Sequence, residues 1–125
     1  MEFNEISGTI VDSAMKVQTA LGPGLLENTY EACLTSELAE LDLEVRAQVA
    51  LPITCRTVRL DAGYRIDLLV EDSVIVELKT VESVLPIHEA QLLSYLKLSG
   101  KKLGLLTSFN VVHLRNGIKR MVNRF

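Results

Sequence analysis

The sequence predicts a mixed α/β fold in which helices pack against a sheet. Apolar residues recur at helical spacing in three segments and at every second position in several others. The 125 residues are 48% hydrophobic and 23% charged, a composition typical of a compact globular protein. No repeat, low-complexity tract or linker interrupts the chain, so we expect one domain over residues 1–125.

Two helices are predicted at the start of the chain. The first covers residues 4–20, where apolar side chains recur every three or four positions, and Gly22-Pro23-Gly24 ends it. The second covers residues 25–41. Its expected buried face consists of Leu26, Tyr30, Cys33, Leu34, Leu38 and Leu41.

Three strands are predicted next. Residues 45–55 alternate between apolar and polar side chains, which indicates a half-buried strand, kinked at Pro52. The segments 64–70 and 73–79 follow, joined by a tight turn near Glu71-Asp72.

The last third of the chain is predicted to contain a helix and three strands. Pro86 begins a helix over residues 86–98, which Gly100 ends. The apolar segment 103–109 is typical of a strand inside a sheet. Asn116-Gly117 predicts a type I′ hairpin turn between strands 111–115 and 118–122. The element order is therefore α-α-β-β-β-α-β-β-β, a layer of helices on a mixed sheet.

Charge is distributed unevenly along the chain. Residues 1–45, 46–89 and 90–125 carry net charges of −8, −2 and +7, which give −3 overall. The last segment could attract phosphate, or it could be a solvated basic face that balances an acidic one. Its basic residues are Lys97, Lys101, Lys102, Arg115, Lys119, Arg120 and Arg124.

Targeting and metal-scaffold signals are absent from the sequence. The first residues have no basic and apolar leader pattern, and no apolar run is long enough to span a membrane, so we expect a cytoplasmic protein without membrane contacts. The two cysteines, Cys33 and Cys55, lack the spacing of a zinc site.

Three charged residues on adjacent strands suggest a reactive site. Glu77 and Lys79 lie two residues apart in the predicted strand 73–79, so both side chains point to one face. Alone, this pattern is usually a solvated pair on a strand surface. Asp67 on the preceding strand 64–70 makes it more significant.

The register of these two strands decides whether the carboxylates meet. A three-residue loop centred on Asp72 places residue i opposite residue 144 − i. This register gives three pairs: Asp67 with Glu77, Leu69 with Ile75, and Arg65 with Lys79. Facing carboxylates repel each other, so the arrangement favours a divalent cation between them. A two-residue loop would instead pair Asp67 with Val76 and send the carboxylates to opposite faces.

Two helices add further candidates. Glu27 lies on the same helical face as Tyr30 and Leu34, so we expect a buried carboxylate that needs a metal, a basic group or a hydrogen-bond network; the alternative is a cap at the helix start. Gln91 and Tyr95 lie four residues apart and project to one spot, as a site or as a helix-packing pair.

The ordered set of these residues resembles a known family. Gly24, Glu27 and Tyr30 form G-x-x-E-x-x-Y within GPGLLENTYEACL, and YRIDLLVEDSVIVELKTVE and IHEAQLLSYLKLSGKKLGLL follow. Together they look like the GxxExxY family of the PD-(D/E)XK nuclease superfamily, over essentially the whole chain. Ile66 stands where the superfamily's name has a proline.

The resemblance implies a restriction-endonuclease-like αβββαβ core from the second helix to strand 103–109, with an extra N-terminal helix and a C-terminal β-hairpin. It implies that Asp67, Glu77 and the backbone carbonyl of Leu78 bind metal, with Glu27 as a further ligand. Lys79 matches the superfamily's catalytic lysine. Gln91 and Tyr95 match the Q-x-x-x-Y motif of its exonuclease branch.

The implied activity is a nuclease that depends on Mg²⁺ or Mn²⁺ and acts on nucleic acid, DNA rather than RNA. Two alternatives stay open: a noncatalytic module that binds nucleic acid or protein on the same fold, and a structural subunit. A homodimer that joins two basic faces, or a protein partner that supplies targeting, is a further hypothesis.

Overall fold

The computed structural model describes residues 2–61 and 63–123. Within these residues the chain forms three α-helices, a five-stranded sheet and a separate two-stranded hairpin. The elements are α1 (Phe3–Leu21), α2 (Glu27–Glu40), β1 (Val45–Ala50), β2 (Ile53–Cys55), β3 (Val58–Leu60), β4 (Arg65–Val70), β5 (Val74–Lys79), α3 (Pro86–Ser99), β6 (Leu103–Ser108), a 3₁₀ turn (Leu114–Asn116) and β7 (Ile118–Val122). The predicted mixed fold of helices on a sheet is confirmed.

The sheet is mixed, with strand order β1-β4-β5-β6-β7. Only β5 and β6 run parallel among these strands; the other three neighbouring pairs are antiparallel. A parallel pair needs a crossover connection, and α3 supplies it. The central position of β5 places Glu77 and Lys79 between neighbours on both sides.

Two apolar clusters cover the two faces of the sheet. The large cluster joins α1 and α2 to one face through residues such as Ile10, Leu34 and Val76. The small cluster joins α3 to the other face through Leu92 and Ile75. Strands β5 and β6 are therefore buried on both sides, which accounts for their nearly continuous apolar sequence.

The predicted strand 45–55 is two strands. It breaks at Leu51-Pro52, since proline has no N–H to donate to a ladder. Beyond the break, β2 pairs with β3, a strand that the sequence analysis did not predict. We call this hairpin, residues 53–60, the arm. It is inserted between β1 and β4, which pair with each other in the main sheet.

The predicted C-terminal hairpin is wrong in its first strand. Residues 111–115 do not pair as a strand; the Gln18 side chain donates to the Val111 carbonyl at 2.7 Å, and Leu114 is buried. Gly117 has a φ of −106°, so the turn is not type I′. A Cβ at Gly117 would lie 2.3 Å from the Ser108 carbonyl oxygen, so the glycine permits this close approach and β7 pairs with β6 instead.

The predicted buried face of the second helix is correct in its centre and wrong at its ends. Leu34 and Leu38 are fully buried, whereas Leu26 is 73% and Leu41 50% exposed. The helix begins at Glu27 and ends at Glu40, so both leucines lie outside its regular turns.

Two basic residues of the last segment pair with acidic side chains. Lys101 pairs with Asp72 at the β4–β5 turn, and Lys119 pairs with Glu89 at the start of α3. Arg124 lies outside the described residues. Among the described residues, none of the helices combines the length and the hydrophobicity that a membrane span requires.

Candidate active site at the end of the sheet

Strands β4 and β5 are paired over only half of their length. Their ladder pairs Val70 with Val74, Leu69 with Ile75 and Leu68 with Val76. This is the register of the three-residue loop centred on Asp72, so that prediction is confirmed. Beyond Leu68 both strands continue without further backbone pairs, which leaves a gap between them at Asp67 and Glu77.

Carboxylates take the place of ladder bonds in this gap. The Leu78 N–H donates to Asp67 Oδ2 at 2.8 Å, and the Asp67 N–H donates to Glu77 Oε1 at 3.3 Å. Each carboxylate is thus fixed by the backbone of the opposite strand. The structure brings together the two carboxylates that the sequence analysis paired.

The backbone of β4 rotates at Asp67. Ile66 packs in the small cluster and Leu68 in the large one, although residues two apart on a regular strand face the same side. In the neighbouring strand β1, the alternation of side chains between the two faces of the sheet is interrupted at Gln48, which has a φ of +54°. This irregularity turns Asp67 into the gap rather than onto a helix-covered face.

The gap opens into a pocket of about 350 Å³. All six side chains that the sequence analysis proposed line it, together with four that it did not propose. The lining residues are Glu27, Asn28, Glu31, Gln48, Arg65, Asp67, Glu77, Lys79, Gln91 and Tyr95.

Glu77 is the most perturbed acid in the pocket. Glu77 is 3% exposed. Burial, together with the negative charge of Asp67, raises the pKa of Glu77 to about 9. The carboxyl group is therefore protonated at neutral pH in the metal-free protein. A cation bound beside it would favour the ionised form, so proton release and cation binding are coupled at this position.

Lys79, Gln91 and Tyr95 form a hydrogen-bonded chain along one wall. Lys79 Nζ donates to Gln91 Oε1 at 3.1 Å, and Gln91 Nε2 donates to the Tyr95 hydroxyl at 3.3 Å. The four-residue spacing places both α3 side chains over the end of β5. Burial and the negative charges of Glu77 and Asp67 raise the pKa of Tyr95, so its hydroxyl keeps its proton.

Glu27 lies in the pocket but is not buried as predicted. It is exposed and is the first residue of α2, at the positive end of the helix dipole, which is the position that the alternative of a cap at the helix start predicted. Partial burial and the charge of Asp67 raise the pKa of Glu27, while Lys79 opposes the shift. Its position at the helix start, rather than mid-helix, explains the exposure.

Tyr30 is the structural residue of the G-x-x-E-x-x-Y motif. Its ring is fully buried and stacks on Phe109 with a centroid distance of 4.4 Å. Its hydroxyl donates to the Gly22 carbonyl at 2.6 Å and accepts from the Leu25 N–H at 3.1 Å. These bonds fix the turn before α2 and thereby the position of Glu27.

Gln48 connects two acidic residues across the pocket. Its Nε2 donates to Glu31 Oε2 at 3.0 Å and lies 3.5 Å from Asp67 Oδ1. Arg65 donates to the Gln48 carbonyl at 3.3 Å. Two of these residues could have been found from sequence patterns: Glu31 is one helical turn after Glu27, and Arg65 alternates with Asp67. No sequence pattern points to Gln48, because its place beside Asp67 depends on the β1–β4 register.

Oxygen donors of the kind that a divalent metal ion binds are present in the gap. Among residues 2–61 and 63–123, no group of three or more His, Cys, Asp and Glu side chains converges tightly enough to hold an ion. Mg²⁺ commonly uses one or two carboxylates and keeps several waters. Asp67 and Glu77 supply that number, so the donor set fits, with Glu27 at the pocket wall rather than in the same cluster.

Comparison with known proteins agrees with this geometry. The family model of the PD-(D/E)XK nuclease superfamily matches residues 4–121. No curated protein and no solved structure gives a significant match. The matched region lacks only the first residue of α1 and the last residue of β7, and it includes the whole pocket. The chain therefore belongs to the PD-(D/E)XK nuclease superfamily.

Proposed function

We propose that the protein is a metal-dependent nuclease that hydrolyses phosphodiester bonds, in DNA rather than RNA. One observation carries the proposal: Asp67 and Glu77 meet where two buried strands separate, with Lys79 in the same pocket. Burying two carboxylates together is costly, and a bound cation offsets that cost. Membership of a nuclease superfamily supports the same conclusion.

The proposed metal ligands are Asp67, Glu77 and the Leu78 carbonyl, with Glu27 as a further ligand. When bound, Mg²⁺ or Mn²⁺ supplies charge neutralisation on the phosphate and lowers the pKa of water. The Leu78 N–H already fixes Asp67, which supports a preset ligand position.

Lys79 is the proposed group that orients the attacking water and stabilises the developing negative charge. Gln91 holds its ammonium group through the 3.1 Å hydrogen bond, and Tyr95 in turn orients Gln91. The proposed role of Gln91 and Tyr95 is to position Lys79 and, through it, the water or phosphate. We assign the chain to the GxxExxY branch on its Gly24, Glu27 and Tyr30 motif.

Parallel cleavage assays test the activity. Wild type, Lys79→Ala and the control Lys101→Ala are incubated with supercoiled plasmid, linear duplex, single-stranded DNA or RNA in Mn²⁺, Mg²⁺ or EDTA. Lys101 pairs with Asp72 outside the pocket, so its loss leaves the site intact. We expect cleavage that requires metal, favours DNA and falls about a thousandfold or more in Lys79→Ala only.

Equal activity of wild type and Lys79→Ala would indicate contamination and contradict the proposal. No cleavage, together with salt-dependent nucleic-acid binding, would favour a noncatalytic binding module instead. The homodimer and the targeting partner stay predictions; gel filtration with light scattering tests the first, since a monomer at high concentration would exclude it.

A further inference from the structure

Arg65 is a basic residue in an acidic pocket, and the chemistry described above gives it no role. It lies at the start of β4, it is exposed, and it lines the pocket together with Asp67 and Lys79. The described lining carries four acidic side chains and two basic ones. Lys79 is proposed to orient the attacking water, so Arg65 is the remaining cation of this lining.

A backbone carbonyl holds the Arg65 side chain. Its Nη1 donates to the Gln48 carbonyl oxygen at 3.3 Å. The β1–β4 ladder skips Gln48, which lies between the paired residues Ala47 and Val49, so this carbonyl belongs to the interruption of the ladder. The bond fixes one side of the guanidinium at the pocket wall.

No ion pair of the described residues takes up the charge of Arg65. Glu31 and Asp67 line the same pocket, yet neither forms a salt bridge with it within the described part of the chain. By contrast, the exposed Arg59 on the arm pairs with Asp61 at 2.6 Å. A guanidinium has five N–H donors, so Arg65 keeps donors for a second acceptor.

The charge balance of the pocket favours a phosphate as that acceptor. With its four acids and two bases ionised, the described lining becomes neutral when a divalent ion binds. Without Arg65 it would stay negative and would repel the phosphates of a nucleic acid. The planar guanidinium matches two oxygens of one phosphate, so Arg65 suits this ligand.

We propose that Arg65 binds the phosphate next to the scissile one, so that the substrate is a strand with at least two consecutive phosphates. Arg65 and Lys79 lie on the two strands that border the gap between the carboxylates. Two residues of strand, about 7 Å, separate Arg65 from the proposed metal ligand Asp67. Arg65 therefore contacts the substrate beyond its reacting group. This inference rests on the proposed nuclease function.

Binding in Ca²⁺ tests this role apart from catalysis. Fluorescence anisotropy of a labelled DNA oligonucleotide is measured with wild type, Arg65→Ala, Arg65→Lys and the control Arg59→Ala, an exposed arginine outside the pocket. We expect Arg65→Ala to lose about tenfold or more in affinity and to show a weaker salt dependence. Arg65→Lys should lose only severalfold, because it keeps the charge but not the fork. Arg59→Ala should stay within about twofold of wild type.

Mn²⁺ titration separates phosphate binding from a purely structural role. If Arg65 only held the backbone of Gln48 in place, Arg65→Ala would weaken metal binding at the neighbouring carboxylates. As a phosphate ligand, Arg65 can be lost with metal affinity unchanged or higher, because a nearby positive charge is removed. Weaker metal binding by Arg65→Ala, nucleic-acid affinity equal to that of wild type, or no nucleic-acid binding by wild type would overturn the inference.

A neutral linkage locates the phosphate that Arg65 binds. Substrates carry one uncharged methylphosphonate on either side of a mapped cleavage position. In Mn²⁺ we expect one of them to be cleaved about tenfold or more slowly than the unmodified strand by wild type, but less than about twofold more slowly by Arg65→Ala. Equal slowing in both proteins would overturn the inference and leave the nuclease function standing. Binding that depends on Arg65, without cleavage in Mn²⁺, would support the inference and count against the nuclease function alone.

Discussion

The two halves of the β4–β5 hairpin differ in backbone pairing and in the charge of their side chains. In the half nearest the turn, residues 68–70 and 74–76 form a backbone ladder, and each residue is at most 3% exposed. In the other half, residues 65–67 and 77–79 have no backbone pairs between them and carry two acids and two cations. We call them the paired half and the open half.

The difference shows that one half of a short hairpin can stabilise the fold while the other half supplies the reactive side chains. The paired half buries aliphatic side chains in both clusters, which is the main source of folding free energy. In the open half, backbone N–H groups donate to carboxylates of the opposite strand instead of to ladder carbonyls. This exchange lowers stability and places two carboxylates where they can serve as metal ligands. If this division is correct, changes in the two halves should have separable effects.

The largest expected effect is a loss of stability in the paired half. Leu68→Ala removes a fully buried side chain from the large cluster, so we expect unfolding to become easier by about 2–5 kcal/mol. Metal affinity and cleavage by the folded fraction should stay within about twofold of wild type. Denaturant unfolding and Mn²⁺ titration below the melting temperature measure the two effects.

Leu41→Ala is the control, because Leu41 is 50% exposed and its loss should be nearly neutral. A Leu68→Ala protein with normal stability but weakened metal binding would show that the halves are not separable.

In the open half, a substitution is expected to raise stability, whereas Leu68→Ala lowers it. Glu77 has a folded pKa of about 9, above its ordinary value of 4.5, so the folded state holds a proton that the unfolded state releases between these values. Wild-type stability in EDTA should therefore fall as pH rises from about 4.5 to 9. Glu77→Gln should remove this slope and be more stable at pH 8.5 by at least about 1 kcal/mol.

Urea unfolding at several pH values in EDTA tests this prediction. Excess Mn²⁺ should flatten the wild-type slope and leave Glu77→Gln unchanged, because the amide is a poor ligand for the cation. A variant that is less stable than wild type at pH 8.5 would contradict the assignment of Glu77 as a destabilising acid.

The smallest expected effect concerns the edge of the open half. Gln48 has a φ of +54°, a region that favours glycine, and bridges Glu31 and Asp67. Gln48→Gly should leave stability unchanged or raise it by up to about 1 kcal/mol, while metal affinity falls severalfold. Asp42→Gly is matched in conformation, with a φ of +61°, and should leave metal affinity unaltered. Equal metal affinities of the two variants would exclude a positioning role for Gln48.

Strong periodicity explains which parts of the fold were predictable. Apolar spacing predicts the first helix over residues 4–20, and the helix is Phe3–Leu21; the β4–β5 register follows from one turn and the alternation beside it. Asp67 and Glu77 could be paired from sequence because the turn that joins their strands is short.

Contacts between segments that are distant in the sequence explain most of the structural features that the sequence did not predict. The arm separates β1 from β4, so nothing local places Gln48 beside Asp67. Residues 111–115 alternate like a strand, yet Gln18, more than 90 residues away, binds the Val111 carbonyl. Glu27 shares a periodic face with Tyr30 but is exposed, because the helix begins at that residue.

The strand order has a consequence for how the chain assembles during synthesis. With the arm set aside, strands join the sheet in the order in which they are translated, from β1 and β4 to β7. Neighbours close in sequence need little loop-closure entropy, so the sheet can grow by addition at one edge. Asp67 and Glu77 can meet as soon as their hairpin has emerged, whereas Gln91 reaches Lys79 only after α3 has been made. The two carboxylates of the site can therefore pair during synthesis before the α3 side chains of the site have been made.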